Sequence, residues 1–407
     1  MTLTQKKNSN NKMKKVILCL LPVILFLAAS NYAEIKNDSS KRSYKNVSAV
    51  NLPKYFYKRF EGTIGGKYRI VMNLTRRDTM VDGNYYYEKK GIPIFFTFNS
   101  RIYNDGSIYL GEETGKYDTA YMPIVSGEFK GKFVNEHEIK GYWDKPGLKA
   151  KLDFSLEEKY PAGSAALDIK RFSKHFINGD ERADIEFMYP IVTNLHDKAT
   201  EKIINSSFEK TFLRDYNFGD RDINWKSYDE MMNDFISHYK EFVSDTSLPK
   251  DYKPMWENSF FTDVIFNSDN ILTVEDIEFR FEGGAHPLTF FIYSNYNIVN
   301  GKEISLDDLL IPGYKAELDK IGEKRFRETY NIKQGESFEQ AGYFIKKNEF
   351  HLNNNFSITK TGLRFRFGQY EIGPYVLGAP SVFIPYSEIK DLIKSDGLLA
   401  NLVKEKN

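Results

Sequence analysis

The sequence predicts an α+β protein whose N-terminal half is an antiparallel β meander, and three observations support this. Apolar and polar residues alternate with a period of two in the first globular region, for example over residues 68–74. Glycine turns such as Asp82-Gly83 and Asp105-Gly106 interrupt the alternation at short intervals. Helical spacing of apolar residues begins only beyond residue 160. Short alternating strands with tight turns indicate antiparallel pairing, and the later helices place the chain in the α+β class.

Residues 53–160 form the predicted antiparallel β domain. Glycine-containing runs at residues 127–133 and 139–143 continue the alternation, and residues 152–156 close it. About seven or eight strands in roughly 105 residues would curl into a small barrel or half-barrel. The run Tyr160-Pro161-Ala162-Gly163 then breaks the pattern, and we predict a boundary between two folding units there.

Residues 167–407 form the predicted α+β domain. Apolar residues at helical spacing predict helices over residues 197–213 and 227–243, and further helical stretches over residues 304–321 and 336–347. The dipeptide Asn300-Gly301 is a strong signal for a tight turn. The remaining predictions are strands over residues 260–266, 271–281, 288–299 and 381–385, a hairpin over residues 356–367, and a last helix from Ser387.

The first thirty residues predict export. Five lysines precede an apolar run of 14 residues, 16–29, and small residues follow it. A membrane-spanning helix needs about 20 apolar residues, so a cleaved signal peptide over residues 1–30 is the better interpretation. Cleavage after Ser30 and cleavage after Ala33 both fit the small-residue pattern. Residues 31–52 then form a polar, flexible leader, and the mature protein is expected in the periplasm or secreted, without a membrane anchor.

Charge and cysteine content narrow the functional classes. Removing residues 1–30 reduces 57 basic residues to 52 against 56 acidic ones, a net charge of −4. Such a balance argues against a nucleic-acid partner or a polybasic membrane-binding surface. The one cysteine, Cys19, lies early in the apolar run, so the mature chain has no disulfide and no lipid-attachment cysteine. Core packing must therefore hold the fold together.

No known catalytic or metal-binding spacing occurs in the sequence. Zinc-type His spacings, calcium-loop spacings and the serine-hydrolase and phosphate-loop motifs are all missing, so we expect no metal and no cofactor. His286, in the run Gly283-Gly284-Ala285-His286, is the one residue with enzymatic potential, as a general base near acidic strand residues. The structural interpretation is favoured, because Gly283 and Gly284 suit a turn with positive φ and no catalytic partner for His286 can be named.

A second segment is rich in tyrosine. The run Tyr370-Glu371-Ile372-Gly373-Pro374-Tyr375 combines residue types that are common at protein interfaces with a Gly-Pro kink. Alternating tyrosines on a strand also make an ordinary core edge, and both interpretations stay open. The candidate ligand-binding residues are therefore His286, Tyr370, Glu371 and Tyr375, with Gly283 and Gly284 as structural turn residues.

These two runs resemble a known family. Gly283-Gly284-Ala285-His286, followed by residues 304–309 and by the tyrosine run ending at Gly378, is similar to the extracellular lysozyme-binding domain of the sigma-V anti-sigma factor. The same domain precedes the catalytic domain of some peptidoglycan deacetylases. The resemblance covers roughly residues 180–395 and implies lysozyme as a partner. The sigma-binding part and the deacetylase domain of those proteins are missing here, so neither activity carries over.

Residues 56–158 resemble a recurrent β-rich module of exported bacterial proteins, through their repeated Gly-x-aromatic pairs such as Gly83-x-Tyr85 and Gly141-x-Trp143. Two functional hypotheses follow for the whole chain. The first is a non-catalytic binding protein of the bacterial envelope that recognises lysozyme, another protein or a peptidoglycan fragment. The second is a hydrolase of envelope polysaccharide with a site around His286, and an enzyme would need titratable groups that converge in a pocket.

Overall fold

The computed structural model describes residues 50–117, 122–215, 225–245, 247, 249, 252 and 254–404. The predicted signal peptide and residues 31–49 of the predicted leader lie outside the described residues, so both stay predictions. Among the described residues, none of the helices combines the length and apolar character that crossing a bilayer requires.

The N-terminal region is a closed antiparallel barrel. Eight strands pair in the cyclic order β2-β1-β9-β8-β7-β6-β5-β3, and β3 returns to β2, while the short β4 pairs with β3 outside this circle. The antiparallel pairing confirms the predicted meander, and the closure of the sheet makes it a barrel and not a half-barrel. The strands are β1 (Tyr55–Ile64), β2 (Tyr68–Arg77), β3 (Met80–Tyr87), β4 (Ile94–Phe95), β5 (Arg101–Ile102), β6 (Ser107–Tyr117), β7 (Pro123–Asn135), β8 (Glu138–Asp144) and β9 (Leu152–Glu158).

Aromatic side chains fill the barrel, and glycines let its strands approach closely. Phe129 packs edge-on against both Tyr85 and Phe154, with ring centroids 5.1 and 5.2 Å apart. Gly131 and Gly141 are register partners on β7 and β8, and a Cβ on Gly131 would lie 2.3 Å from the carbonyl oxygen of Lys140. A side chain there would push the two strands apart, which explains the glycine punctuation of the sequence.

A five-stranded mixed sheet follows the barrel. Its order is β10-β11-β12-β13-β14, and β11 and β12 are parallel while the other neighbours are antiparallel. The two helices α1 and α2 connect the parallel pair, as a parallel connection requires a crossover. The elements are β10 (Leu167–Asn178), β11 (Glu181–Val192), α1 (Lys198–Asp215), α2 (Tyr228–Val243), β12 (Trp256–Ser268), β13 (Ile271–Phe281) and β14 (Leu288–Asn297).

Both predicted helices pack on one face of this sheet. Ser227 caps α2 by accepting the backbone N–H of Glu230 at 3.2 Å. Met231, Phe235 and Tyr239 are buried, as their helical spacing predicted. In α1, Phe208 is buried, but Ile203, which the spacing also placed on the buried face, is 52% exposed.

The C-terminal region packs a three-stranded antiparallel sheet, β15-β16-β17, against helix α4. Its core is rich in aromatic rings, with Phe326 of α4 lying 5.1 Å from both Tyr343 and Phe350. The elements are α3 (Leu306–Leu309), α4 (Lys315–Tyr330), β15 (Phe356–Ile358), β16 (Gly362–Arg366), β17 (Ser381–Pro385), α5 (Tyr386–Ile389) and α6 (Ala400–Lys404), with single 3-10 turns at Lys346–Asn348, Tyr375–Leu377 and Lys390–Leu392.

Three helix predictions were wrong in part or whole. Residues 336–347 form turns rather than a helix, because Gly342 has a φ of 91° and the aromatic residues of this segment are drawn into the core around Phe326. The predicted helix over residues 304–321 is divided into α3 and α4 by Pro312-Gly313, whose glycine has a φ of 82°. The helix predicted from Ser387 consists of short pieces.

Buried polar side chains join the barrel to the mixed sheet. A bulge in β12 between Val264 and Phe266 interrupts the pairing with β13. Beside it, the Nδ2 atom of Asn84 donates to the carbonyl oxygen of Val264 at 3.0 Å, and the Nε atom of Arg59 donates to that of Asn267 at 3.0 Å. The described residues of the barrel and of the α+β region lie in one compact unit. Their division into two folding units at residues 160–167 stays a prediction.

Candidate functional site

Two segments that are far apart in the sequence meet at one surface. His286 lies in the turn between β13 and β14, whereas Tyr370 and Tyr375 lie in the loop between β16 and β17. The rings of His286 and Tyr375 stack with centroids 3.8 Å apart and an angle of 19° between their planes. Tyr370 completes the cluster, with its ring centroid 5.8 Å from that of Tyr375. We call these three residues the aromatic site.

Two polar contacts orient the ring of His286. The carbonyl oxygen of Pro287 accepts from the Nδ1 atom of His286 at 3.2 Å. The Nε2 atom on the other side of the ring lies 3.0 Å from the hydroxyl of Tyr370, within hydrogen-bond distance. The two contacts hold the ring in one orientation. Ring stacking of this kind contributes about 0.5–1.5 kcal/mol beyond the area buried.

Tyr370 has an unusual backbone. Its φ is 66°, in the left-handed region that bulky side chains avoid. Its side chain is nevertheless 47% exposed, so core packing is not the reason for this conformation. A strained position of this kind costs about 1–3 kcal/mol and is concentrated at binding and catalytic sites.

Side-chain amides hold the tyrosine loop against β14. The backbone N–H of Thr289 donates to Oε1 of Gln369 at 2.9 Å, and that of Tyr293 donates to Oδ1 of Asn355 at 2.8 Å. Asn355 in turn donates from Nδ2 to the carbonyl oxygen of Phe291 at 2.8 Å. These amides occupy the outer edge of β14, where another strand would otherwise pair. Gln369 and Asn355 were not predicted from the sequence, although the run Asn353-Asn354-Asn355 was a visible signal.

The hydrogen bonds of Glu371 lie within its own loop and with Asn353, and its predicted role in ligand binding stays a prediction. Its carboxylate accepts the backbone N–H of Gly368 at 2.6 Å and the Nδ2 atom of Asn353 at 3.0 Å. These contacts close the turn that presents Tyr370, and Glu371 makes no hydrogen bond with His286. The structure therefore brings together His286, Tyr370 and Tyr375, and leaves Glu371 as a residue that shapes their loop.

The glycine turn and the acidic residues at the end of β13 precede His286 in the chain. Gly283 and Gly284 have φ angles of 84° and 106°. Glu278 pairs with Arg280, and Glu282 accepts from Nδ2 of Asn258 at 2.8 Å. Within the described residues, the hydrogen bonds of the His286 ring go to Pro287 and Tyr370 and to no carboxylate.

Burial raises the pKa of the Tyr375 hydroxyl above its ordinary value, an effect that a hydrogen bond with Gln369 partly offsets. Tyr375 therefore stays neutral at physiological pH and presents a ring face and a hydroxyl group. No cluster of three or more His, Cys, Asp or Glu side chains suited to a metal ion occurs in the part of the chain that the structure describes.

Comparison with known proteins gives two family matches. Residues 178–289 match the family described as deacetylase PdaC, and residues 307–387 match a protein family of unknown function, DUF3298. Esterase Rv3036c of Mycobacterium tuberculosis is 34% identical over 116 residues, which are 27% of this chain and 47% of that protein. This chain therefore spans about half the length of that relative.

Two solved structures are similar over more than half of the chain. A DUF3298 family member from Bacteroides fragilis has a TM-score of 0.48 at 18% identity, covering 59% of this chain and 99% of its own. A DUF3298 family protein from Pseudomonas aeruginosa has a TM-score of 0.44 at 18% identity, covering 57% and 97%. In the sequence matches, His286 falls within the PdaC segment and Tyr370 and Tyr375 fall within the DUF3298 segment. The aromatic site is therefore built from both matched segments.

Proposed function

We propose that this chain is an exported, non-catalytic binding protein of the bacterial envelope, and that the aromatic site is its binding surface. The observation that carries the proposal is the meeting of His286 with Tyr370 and Tyr375, which are more than eighty residues away in the sequence. Exposed, rigid aromatic rings with polar edges are typical anchors at protein interfaces. The strained φ of Tyr370 supports a role of this residue in binding over a role in core packing.

The proposed partner is lysozyme or a cell-wall glycan fragment. The resemblance of the Gly-Gly-Ala-His and tyrosine runs to a lysozyme-binding domain suggests the former. The match to the deacetylase PdaC family supports a place in the envelope. Export follows from the N-terminal sequence, with its lysines and its apolar run of 14 residues.

Binding assays with single substitutions test this proposal. The mature protein is immobilised and exposed to hen egg-white lysozyme and, separately, to peptidoglycan fragments. Tyr375→Ala removes the ring that stacks on His286, and a hot-spot loss of about 2 kcal/mol would raise Kd about thirtyfold. Tyr103→Ala on the barrel, where the side chain is 46% exposed, is the matched control and should leave Kd unchanged. Equal effects of the two substitutions, or no binding to either probe, would contradict the proposal.

A hydrolase is the second candidate, because the chain is similar to part of an esterase and because Nε2 of His286 lies 3.0 Å from the Tyr370 hydroxyl. In this alternative, His286 is the base and Tyr370 the nucleophile or proton donor. Hydrolysis of p-nitrophenyl acetate and of peptidoglycan fragments is measured for the wild type, Tyr370→Phe and His286→Ala. Turnover that both substitutions reduce by orders of magnitude would establish the hydrolase and overturn the binding proposal. Turnover that neither changes does not come from this site.

A further inference from the structure

A row of buried polar residues crosses the face of the mixed sheet that meets the barrel. Asp263 of β12 is the register partner of Glu275 of β13, which is in turn the register partner of Tyr293 of β14. Their side chains are 8%, 4% and 6% exposed. Two carboxyl groups therefore lie side by side in a dry environment, where ionising both is strongly disfavoured.

Two arginines approach this row from opposite sides, and each already has a carboxylate. Arg77 of the barrel binds Asp82, with donor–acceptor distances of 2.8 and 2.5 Å, and its guanidinium lies 3.8 Å from the ring centroid of Phe261. Arg366 of β16 binds Glu275 and lies 3.3 Å from the ring centroid of Phe291. Asp263 is thus a third acid beside two arginines. Its Oδ1 atom has no hydrogen-bond partner among the described residues.

The groups that face Asp263 come from β2, β3 and β13, while Glu186 of β11 faces Arg77 and forms an ion pair with Arg171. Thr75 and Arg77 of β2 favour its ionised form, whereas Asp82 of β3 and Glu275 of β13 oppose it. Burial is the largest influence, and together these effects hold the pKa of Asp263 well above the usual range of an aspartic acid. Arg364 and Arg366 of β16 lie beyond Glu275, beside Tyr293. We call Thr75, Arg77, Asp82, Asp263, Glu275 and Arg366 the joint.

The joint is connected to the aromatic site through Arg366. The carbonyl oxygen of Arg366 accepts from Nδ2 of both Asn353 and Asn355, at 2.9 and 3.0 Å. Asn353 also holds Glu371, whose carboxylate closes the turn of Tyr370. The loop of residues 367–378 therefore begins at a residue whose guanidinium is fixed inside the joint.

We propose that the protonation of Asp263 in the joint controls the order of the aromatic site. When Asp263 is protonated, the barrel stays packed against the sheets and the loop of residues 367–378 stays ordered. When Asp263 is ionised, this packing and this loop both loosen. With Asp263 neutral, Arg77 and Arg366 are balanced by Asp82 and Glu275, and Arg364 of β16 faces Glu113 of β6 beyond them. With Asp263 ionised, the carboxylates of this group outnumber its guanidinium groups by one, and the excess negative charge favours opening to water. The consequence for ligand binding rests on the proposed function, but the opening of the joint does not.

The sign of the pH dependence follows from linkage. Because the pKa of Asp263 is higher in the closed joint than in an opened, hydrated one, the closed state binds the extra proton. Closing is therefore favoured in acid, and opening increases as the pH rises from the ordinary pKa of aspartic acid towards the raised value. Release of one proton on opening changes the opening equilibrium constant about tenfold per pH unit in that range.

Hydrogen exchange of the full mature chain tests this directly. Amide protection in residues 367–378 and in β2 and β3 is measured from pH 5 to pH 9 and corrected for intrinsic exchange rates. In the wild type, protection should fall about tenfold per pH unit more steeply than in Asp263→Asn, which cannot ionise. Asp168→Asn, an exposed aspartate on the same sheet, is the matched control and should keep the wild-type slope. Equal slopes in the wild type and Asp263→Asn would overturn the proposal.

A second substitution keeps the proposal testable if Asp263→Asn fails to fold. Glu275→Gln removes the neighbouring negative charge, so Asp263 should ionise more easily and the pH-dependent range should end at a lower pH. An unchanged range in Glu275→Gln would contradict the joint. Binding of hen egg-white lysozyme at pH 6 and pH 8 is a separate measurement. Lysozyme that binds at neither pH, with the exchange slopes as expected, would remove the proposed partner and leave the joint standing.

Discussion

Glu257→Gln should stabilise this protein at neutral pH, because Glu257 is a carboxylic acid in an unfavourable place. It lies on β12 beside Asp184, its register partner on β11. Burial is the main cause that raises the pKa of Glu257 to about 7, and the negative charge of Asp184 adds to it. Asp184 forms an ion pair with Arg182, with an Nε–Oδ2 distance of 2.5 Å, and contacts His175. Ionising the Glu257 carboxyl group therefore costs more free energy in the folded protein than in the unfolded chain.

The magnitude follows from the two pKa values. The folded state retains a proton on Glu257 up to about pH 7, whereas the unfolded chain loses it near pH 4.5. Stability is therefore lost as the pH rises between these values, and the loss reaches about 3 kcal/mol at pH 7. Because part of Glu257 is exposed, solvent screening reduces the effect, and the loss of about 3 kcal/mol is an upper bound. Glutamine imitates the neutral acid, so Glu257→Gln should recover most of that free energy of unfolding at pH 7 and only about 1 kcal/mol at pH 5.

Urea unfolding at pH 5, 6, 7 and 8 provides the assay, with tryptophan fluorescence as the signal. Trp256 is the neighbour of Glu257 and is buried, so it reports on this part of the sheet. Glu349→Gln, a fully comparable substitution at an exposed position, is the control and should change stability by less than about 0.5 kcal/mol at every pH. The reasoning fails if the two variants have the same stability at pH 7, or if the gain of Glu257→Gln does not grow with pH.

Two further predictions concern the N-terminus and the glycine turn. Mass spectrometry of protein from the envelope fraction should give a mature N-terminus at Asn31 or Glu34, and an intact, membrane-anchored Met1 species would disprove cleavage. Gly284→Ala should lower the free energy of unfolding by about 1 kcal/mol in urea titrations, because Gly284 has a φ of 106° and its surroundings are open, so strain is the whole effect. Ala285→Ser in the same exposed turn should cost almost nothing, and equal losses would show that the strain argument is wrong.

Local patterns predicted those elements whose burial follows a simple period. The strands of the barrel alternate because one side of each strand faces a core of aromatic rings, and this alternation is visible in the sequence. Helix α2 is equally visible, because Met231, Phe235 and Tyr239 recur at helical spacing and Ser227 precedes them as a cap. His286, Tyr370 and Tyr375 stood out in two unusual runs of the sequence, and their role in ligand binding stays a prediction.

Other features depend on contacts between distant residues. The segment of residues 336–347 has helix-forming residues, but Phe338 and Tyr343 gain more by packing around Phe326 than a helix would allow. Strands β10 and β11 were not predicted, although Ala183, Ile185 and Phe187 of β11 alternate with charged residues. The parallel pairing of β11 with a strand beyond two helices depends on distant contacts. Closure of the barrel is likewise decided by the pairing of β1 with β9, about a hundred residues apart.

The sequence by itself determined the α+β class, because that class depends on short-range periodicity, whereas the export signal and the binding role of the aromatic site stay predictions. Only the tertiary structure decided that His286 stacks on Tyr375, that Glu371 supports the loop instead of the ring, and that Asp263 lies beside Glu275. Ring stacking, backbone strain and the pKa of a buried acid depend on distances of a few ångströms between groups that the chain separates by tens of residues. Those distances are set by the packing of whole sheets, which no local pattern encodes.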